Sequence, residues 1–233
     1  MATATLHYFH DPFCGWCYGA APLVAAARAV LPVRAHGGGM LAGPARQRGG
    51  EQWRGHVLPH DRRIAQMTGQ VFGDAYLDGL LRDPEAVFDS LPAIAAVLAA
   101  DTLAGKGLDM LARLQVAHYG EGRRIAEAAV LVALAAELGL EPAAFRSALD
   151  QALAHDVAGH ISETRRQMAR HGLSGFPSFL LEVDGRFERV DASAFLGQPA
   201  QWSAWLAQRL QAQGAASVAE AVDGPSCGLD GCV

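Results

Sequence analysis

Two cysteines separated by two residues, Cys14-Gly15-Trp16-Cys17, stand where a strand pattern gives way to a helical one. The apolar run Leu6-His7-Tyr8-Phe9 reads as a short strand and ends at the turn signal Asp11-Pro12. Residues 17–30 are alanine-rich and helical, and Leu31-Pro32 stops them. Residues 33–36 read as a second strand, closed by Gly37-Gly38-Gly39. A helical crossover between two strands this close in sequence predicts a parallel pair.

The position of the dithiol carries chemistry. A thiol at a helix N-terminus faces unpaired backbone N–H groups and the positive end of the helix dipole. That environment favours a thiolate by about 1–2 kcal/mol when partly buried, and the thiolate is the form that attacks disulfides. Cys14 is therefore the expected nucleophile. Cys17, one turn inside, is expected to be more buried and to resolve the mixed disulfide. A competing reading is half a zinc site, which needs two further ligands, and Cys227 and Cys232 are the obvious ones. Another is a pair of inert core cysteines.

Downstream, Gly175-Phe176-Pro177-Ser178-Phe179 precedes a strand over 178–183. Asp184-Gly185 supplies a hairpin turn, and residues 186–190 pair back. A proline opening a strand can be a simple edge device. Beside a dithiol at a strand-to-helix junction, a cis Phe176–Pro177 bond is the better reading. It would leave the Phe176 backbone free to pair with an extended substrate. Trp16, Phe176 and Pro177 are the candidate substrate contacts.

Between these two halves the chain changes character. Residues 42–57, rich in Gly, Arg and Gln, read as a loop. Helical patterns follow at 59–67, 92–103, 106–119, 124–138 and 142–153, with no strand signal among them. The helix over 124–138 spreads Ile125, Ala128, Ala129, Val132, Leu134 and Ala135 over more than half its circumference, which predicts burial on most sides. A further helix covers 155–171. Pro199 can start a last one, with Trp202, Trp205, Leu206 and Leu210 as an apolar stripe. The expected division is residues 1–45 and 153–213 as one domain, 46–152 as a helical insertion, and 214–233 as a flexible tail carrying Cys227-Gly-Leu-Asp-Gly-Cys232. Those two cysteines form a candidate second redox pair, since four intervening residues with two glycines can close a disulfide.

The pattern resembles the DsbA-type branch of the thioredoxin superfamily, in which a helical domain is inserted into a thioredoxin-like α/β fold. Asp11-Pro-Phe-Cys-Gly-Trp-Cys-Tyr18 is similar to the active-site segment of its cytosolic, FrnE-like members. His118-Tyr-Gly-Glu-Gly122 with Leu134-Ala-Ala-Glu-Leu-Gly139 resembles their helical insert, and Gly172-Leu-Ser-Gly-Phe-Pro-Ser-Phe179 their cis-proline segment. The resemblance implies a disulfide oxidoreductase or isomerase with no cofactor, in which Cys14 attacks, Cys17 resolves and Pro177 is the cis-proline. Implied partners are a disulfide-containing protein or a glutathione-type substrate, and a cellular dithiol reductant or oxidant. Secreted relatives carry Pro-His between the cysteines. Here the pair is Gly-Trp, with no cation, which points to a more moderate potential. His7 and His10 are near enough in sequence to restore part of that effect. Kappa-class glutathione transferases and hydroxychromene carboxylate isomerases share the topology but use serine at the first cysteine, so Cys14 and Cys17 together disfavour them.

Charge and hydropathy restrict the setting. The net charge is −5 and the pI about 6.0, against nucleic acid as main partner. The basic pairs Arg62-Arg63, Arg123-Arg124 and Arg165-Arg166 read as solvated helix faces. The N-terminus lacks the pattern of a secretory signal, and the apolar stretch 125–140 is interrupted by Glu127 and Glu137. The expectation is a cytoplasmic protein with no membrane segment and no metal; in a reducing cytosol paired cysteines are more often catalytic or metal-binding than structural.

Overall fold

A computed structural model describes residues 3–222. Strand β1 (Ala4–His10) leads through the dithiol into helix α1 (Gly15–Arg28) and back to β2 (Val33–Gly37), parallel to β1 with Leu6 opposite Val33. Much later, β5 (Ser178–Val183) runs antiparallel along the other edge of β1, with Tyr8 opposite Phe179. β6 (Arg186–Val190) folds back on β5, giving the order β2-β1-β5-β6. The turn between them holds Asp184 at φ 49° and Gly185 at φ 76°, the positive pair that matches strand twist in a tight hairpin.

Strand alternation sends side chains to two covered faces. Leu6, Tyr8, Phe179 and Leu181 join the main core with Leu23 of α1 and with Trp202 and Leu206 of the last helix, α8 (Pro199–Val222). Trp202 is fully buried, 5.7 Å from Phe179 and 5.3 Å from Phe195. Phe9 and Leu180 face the other way, onto Met168 of α7 (Val157–Arg170). Each such side chain contributes roughly 1.5–3 kcal/mol by leaving water.

Between the two halves lie α2 (Glu51–Thr68), α3 (Ser90–Ala104), α4 (Gly107–Gln115), α5 (Ala128–Glu137) and α6 (Pro142–Gln151). This is the thioredoxin-like α/β fold with a helical insertion. The wrapped helix is α3, not α5 as the pattern predicted. α3 buries Ala93, Ile94, Ala95, Ala96, Val97, Ala99 and Ala100, because small side chains on every face let other helices close around it. α5 starts at Ala128, after Ile125, and buries only Leu131, Leu134 and Ala135.

Three other expectations change. Residues 42–57 are not one loop: α2 begins at Glu51, and Pro59 lies inside it rather than at its start. Only Asp61 and Ile64 of α2 are buried, so its polar surface hides the helical period. The inserted region also contains a two-stranded sheet, β3 (Gln47–Arg48) with β4 (Val87–Phe88), each strand too short to show an alternation. Helix α8 runs nine residues past 213, through a segment whose alanines favour helix even without large apolar groups.

Candidate active site

Cys14 is the N-cap of α1, in extended backbone conformation. Its sulfur accepts the Cys17 N–H at 3.4 Å, and its carbonyl accepts the N–H groups of Cys17 and Tyr18 at 2.9 and 3.1 Å. The Cys14 thiol also lies 3.4 Å from the Phe176 carbonyl, across 162 residues of chain. Cys14 is 6% exposed and Cys17 0%. Burial pushes the Cys17 thiol well above its ordinary range, and its hydrogen bond with the Cys14 side chain adds to this. Both thiols are free. Phe176–Pro177 is cis, and the contact of the Phe176 carbonyl with Cys14 sets this segment beside the dithiol.

The turn before Cys14 is held by Asp11, which sequence reading treated only as a turn residue. Asp11 is fully buried; it accepts Phe13 N–H at 3.0 Å, Met40 N–H at 2.6 Å and the Ser90 hydroxyl at 2.9 Å. Desolvation raises its carboxyl to about 6, against the pull of those hydrogen bonds. Ser90 opens α3, so the insertion is pinned to the active-site turn. A second tie joins α2 to α1. A Cβ at Gly15 would come within 2.8 Å of Asp61 Oδ1 and 3.0 Å of Ile64, so the glycine between the cysteines permits this helix contact.

Neither nearby histidine supplies a cation to the dithiol. His7 hydrogen-bonds Glu182 at 2.8 Å and His36 at 2.9 Å, on the face opposite α1. His10 stacks on Tyr8 and is held by burial at about 3, so its ring is neutral near pH 7. Two of the arginines read as plain surface do reach the site. Arg63 lies over Trp16, 5.8 Å from the ring centre. Arg165 lies 5.1 Å from the Phe176 ring and donates to the Gly38 carbonyl at 2.6 Å.

Two openings flank the CGWC turn. A cleft of about 780 Å³ runs past Trp16, Arg63, Phe176, Pro177, Arg189 and Asp191. A smaller cavity of about 190 Å³ has Cys14 itself in its wall, among Phe13, Trp16, Trp53, Asp61 and Tyr119. Trp16, Phe176 and Pro177 thus line the first opening. Cys227 and Cys232 lie outside the described residues. Among the described residues no three His, Cys, Asp or Glu side chains gather as metal ligands, and no helix is long and apolar enough to cross a membrane.

Residues 5–201 match the DSBA-like thioredoxin domain. Among solved structures, the cytosolic disulfide reductase DsbM from Pseudomonas aeruginosa is 55% identical with a TM-score of 0.85, covering 89% of this chain and 98% of that one. The structure of DsbM from Pseudomonas aeruginosa with GSH matches at 54% identity and TM-score 0.83, covering 89% and 99%. The oxidoreductase DsbA from Xylella fastidiosa shares the fold at 16% identity and TM-score 0.51, over 90% of this chain and 87% of its own. No curated protein matches.

Proposed function

Because the chain belongs to the DSBA-like thioredoxin domain family, and is a thiol–disulfide oxidoreductase, we propose that it works as a cytoplasmic reductase in which Cys14 attacks, Cys17 resolves and glutathione is the thiol partner. The observation that carries this reading is the Cys14 sulfur at the mouth of α1. It receives the Cys17 N–H, faces the Phe176 carbonyl and stands over a sealed second thiol. The Cys14 thiolate bonds one sulfur of a substrate disulfide, and the other sulfur leaves and takes a proton. Cys17 then loses its proton, attacks the Cys14 sulfur and expels the second thiol. Two electrons pass to the substrate and a Cys14–Cys17 disulfide remains. Two glutathione molecules return it to the dithiol and become one oxidised glutathione.

The 780 Å³ cleft suits a charged tripeptide. Arg63 and Arg189 can pair with the two carboxylates of glutathione, and Asp191 with its ammonium. Asp191 stays ionised because the Ser193 side chain and N–H hydrogen-bond its carboxylate. Trp16, Phe176 and Pro177 would hold the peptide near Cys14. The Cys227/Cys232 pair is a candidate relay that exchanges electrons with this dithiol. The test is turnover of a glutathionylated protein. Cys14→Ser should abolish it, and Arg189→Ala should raise the KM for glutathione without slowing iodoacetamide alkylation of Cys14. An unchanged KM would remove the glutathione assignment, and an active Cys14→Ser protein the nucleophile.

A further inference from the structure

Asp61 has no part in the exchange just described, yet it shares the small cavity with Cys14. It lies on α2, 3% exposed. Its Oδ2 accepts the Tyr76 hydroxyl at 2.9 Å, while Oδ1 faces Gly15, where a Cβ would be only 2.8 Å away. Gly15 follows Cys14 directly, and carboxyl and thiol both line a 190 Å³ space whose walls are mostly aromatic. Burial pushes Asp61 up to about 7, with the Tyr76 hydrogen bond acting against it, so near neutral pH the carboxyl carries a proton it can give.

The groups around it do not substitute for it. Tyr76 comes from the wide turn Ala75–Gly79, and His118 and Tyr119 from the turn Val116–Gly120. His56, His60 and Arg63 share α2 with Asp61, and Cys14 comes from α1. His118 is kept neutral by burial, at about 3, and burial holds the Tyr76 and Tyr119 phenols well above their ordinary range. His56 and His60 are exposed, and Arg63 lies over Trp16. Asp61 is the buried acid in this wall that can exchange a proton near pH 7.

We propose that Asp61 is the proton donor to the sulfur that leaves when Cys14 attacks a disulfide. The proposal rests on Cys14 being the nucleophile. In the step, the electron pair of the Cys14 thiolate forms the new S–S bond, and the substrate S–S bond breaks toward the outer sulfur. That sulfur takes the Asp61 proton and leaves as a thiol. Asp61 remains as a carboxylate and recovers a proton from solvent. An alkyl thiol, with a pKa of about 8.5, is a poor leaving group as its anion and gains most from this donor. A nitro-substituted aryl thiolate leaves readily without one.

That difference supplies the test. Full-length protein carrying Cys17→Ser stops after the first attack. The rate of mixed-disulfide formation is followed from pH 5.5 to 8.5 with bis(2-hydroxyethyl) disulfide and with 5,5′-dithiobis(2-nitrobenzoate). The ratio of the two rates cancels the ionisation of Cys14. The expected ratio falls as pH rises through about 7. Asp61→Asn, which keeps an acceptor for Tyr76, should lower the ratio at pH 6 on the order of 10²-fold and flatten its pH dependence. Tyr76→Phe should move the fall to higher pH, since the lost hydrogen bond had been lowering the acid. An unchanged ratio in Asp61→Asn, or an equal slowing of both disulfides, would overturn the role of Asp61. Failure of both disulfides to add to Cys14 would instead remove the nucleophile assignment, and the proposal with it.

Discussion

Replacing Gly38 with alanine perturbs the site while touching neither cysteine. A Cβ there would lie 2.0 Å from Phe176 Cζ and 2.4 Å from Cε1. Carbon atoms pack at about 3.5–4.0 Å, so the ring must retreat by about 1.5 Å. The backbone at Gly38 cannot easily yield instead. Its N–H donates to the His10 carbonyl at 2.8 Å, and its own carbonyl accepts from Arg165 at 2.6 Å. Overpacking of this kind costs about 1–3 kcal/mol, and separating Arg165 from the ring costs about 0.5–1 kcal/mol more. For a chain of this size each kcal/mol lowers Tm by about 2–4 °C, so calorimetry should find a drop of roughly 3–16 °C. The displaced ring carries the Phe176 carbonyl away from Cys14 Sγ, which it now meets at 3.4 Å. Loss of that contact, worth about 0.5–1.5 kcal/mol, leaves the sulfur freer to meet a reagent, so iodoacetamide alkylation of Cys14 should speed up roughly 2- to 10-fold. Disulfide turnover should fall, because the substrate loses its backbone partner. A Tm within 1 °C of wild type together with unchanged alkylation would refute the reasoning.

Other substitutions test how the site is held. Asp11→Ala strands three donors, Phe13 N–H, Met40 N–H and the Ser90 hydroxyl, at about 1–3 kcal/mol each, so urea unfolding should show a loss of about 3 kcal/mol or more. Trp202→Ala should lower stability by about 3–5 kcal/mol while leaving the alkylation rate of Cys14 near wild type, since Trp202 packs against Phe179, Phe195 and Trp205. The acid limb of stability should have two slopes. His10, His36 and His118 are depressed to about 3, so the stability they leave intact above pH 6.5 is lost as pH falls toward 3. Asp11 and Asp61 are raised to about 6 and about 7, so between pH 4 and 6 the folded state holds protons that offset the histidines. His160 is lowered by burial in the same sense, so the histidines outweigh the two acids and stability falls gently there, steepening below pH 4, where the unfolded carboxyls also bind protons. Urea midpoints from pH 3.5 to 7 that fall with one constant slope would contradict this.

The sheet halves and the dithiol were legible in the sequence because their signals are local. Leu6–Phe9, the alanine-rich stretch after Cys17 and the Asp184-Gly185 turn each announce one element, and all appear where expected. Helix α2 was hidden because its exposed Arg, Gln and His residues leave only Asp61 and Ile64 on the buried side. The same reason kept Asp61 out of the predicted site. Nothing around it in sequence distinguishes a buried acid from a solvated one, and only the packing of α2 on Gly15 does. Asp11 carried a weak signal, its place three residues before Cys14, but its three hydrogen bonds come partly from Met40 and Ser90, far along the chain. Gly38 and Arg165 likewise matter through Phe176, a contact made by the tertiary fold.

The central claim, that Cys14 attacks and Cys17 resolves, is tested most directly by trapping. Cys17→Ser protein is incubated with oxidised glutathione at pH 7, digested, and mapped by mass spectrometry. The account predicts one glutathione on Cys14, in a stable mixed disulfide that wild-type protein resolves and does not accumulate. An adduct confined to Cys227 or Cys232, or equal modification of the Cys14→Ser protein, would contradict it.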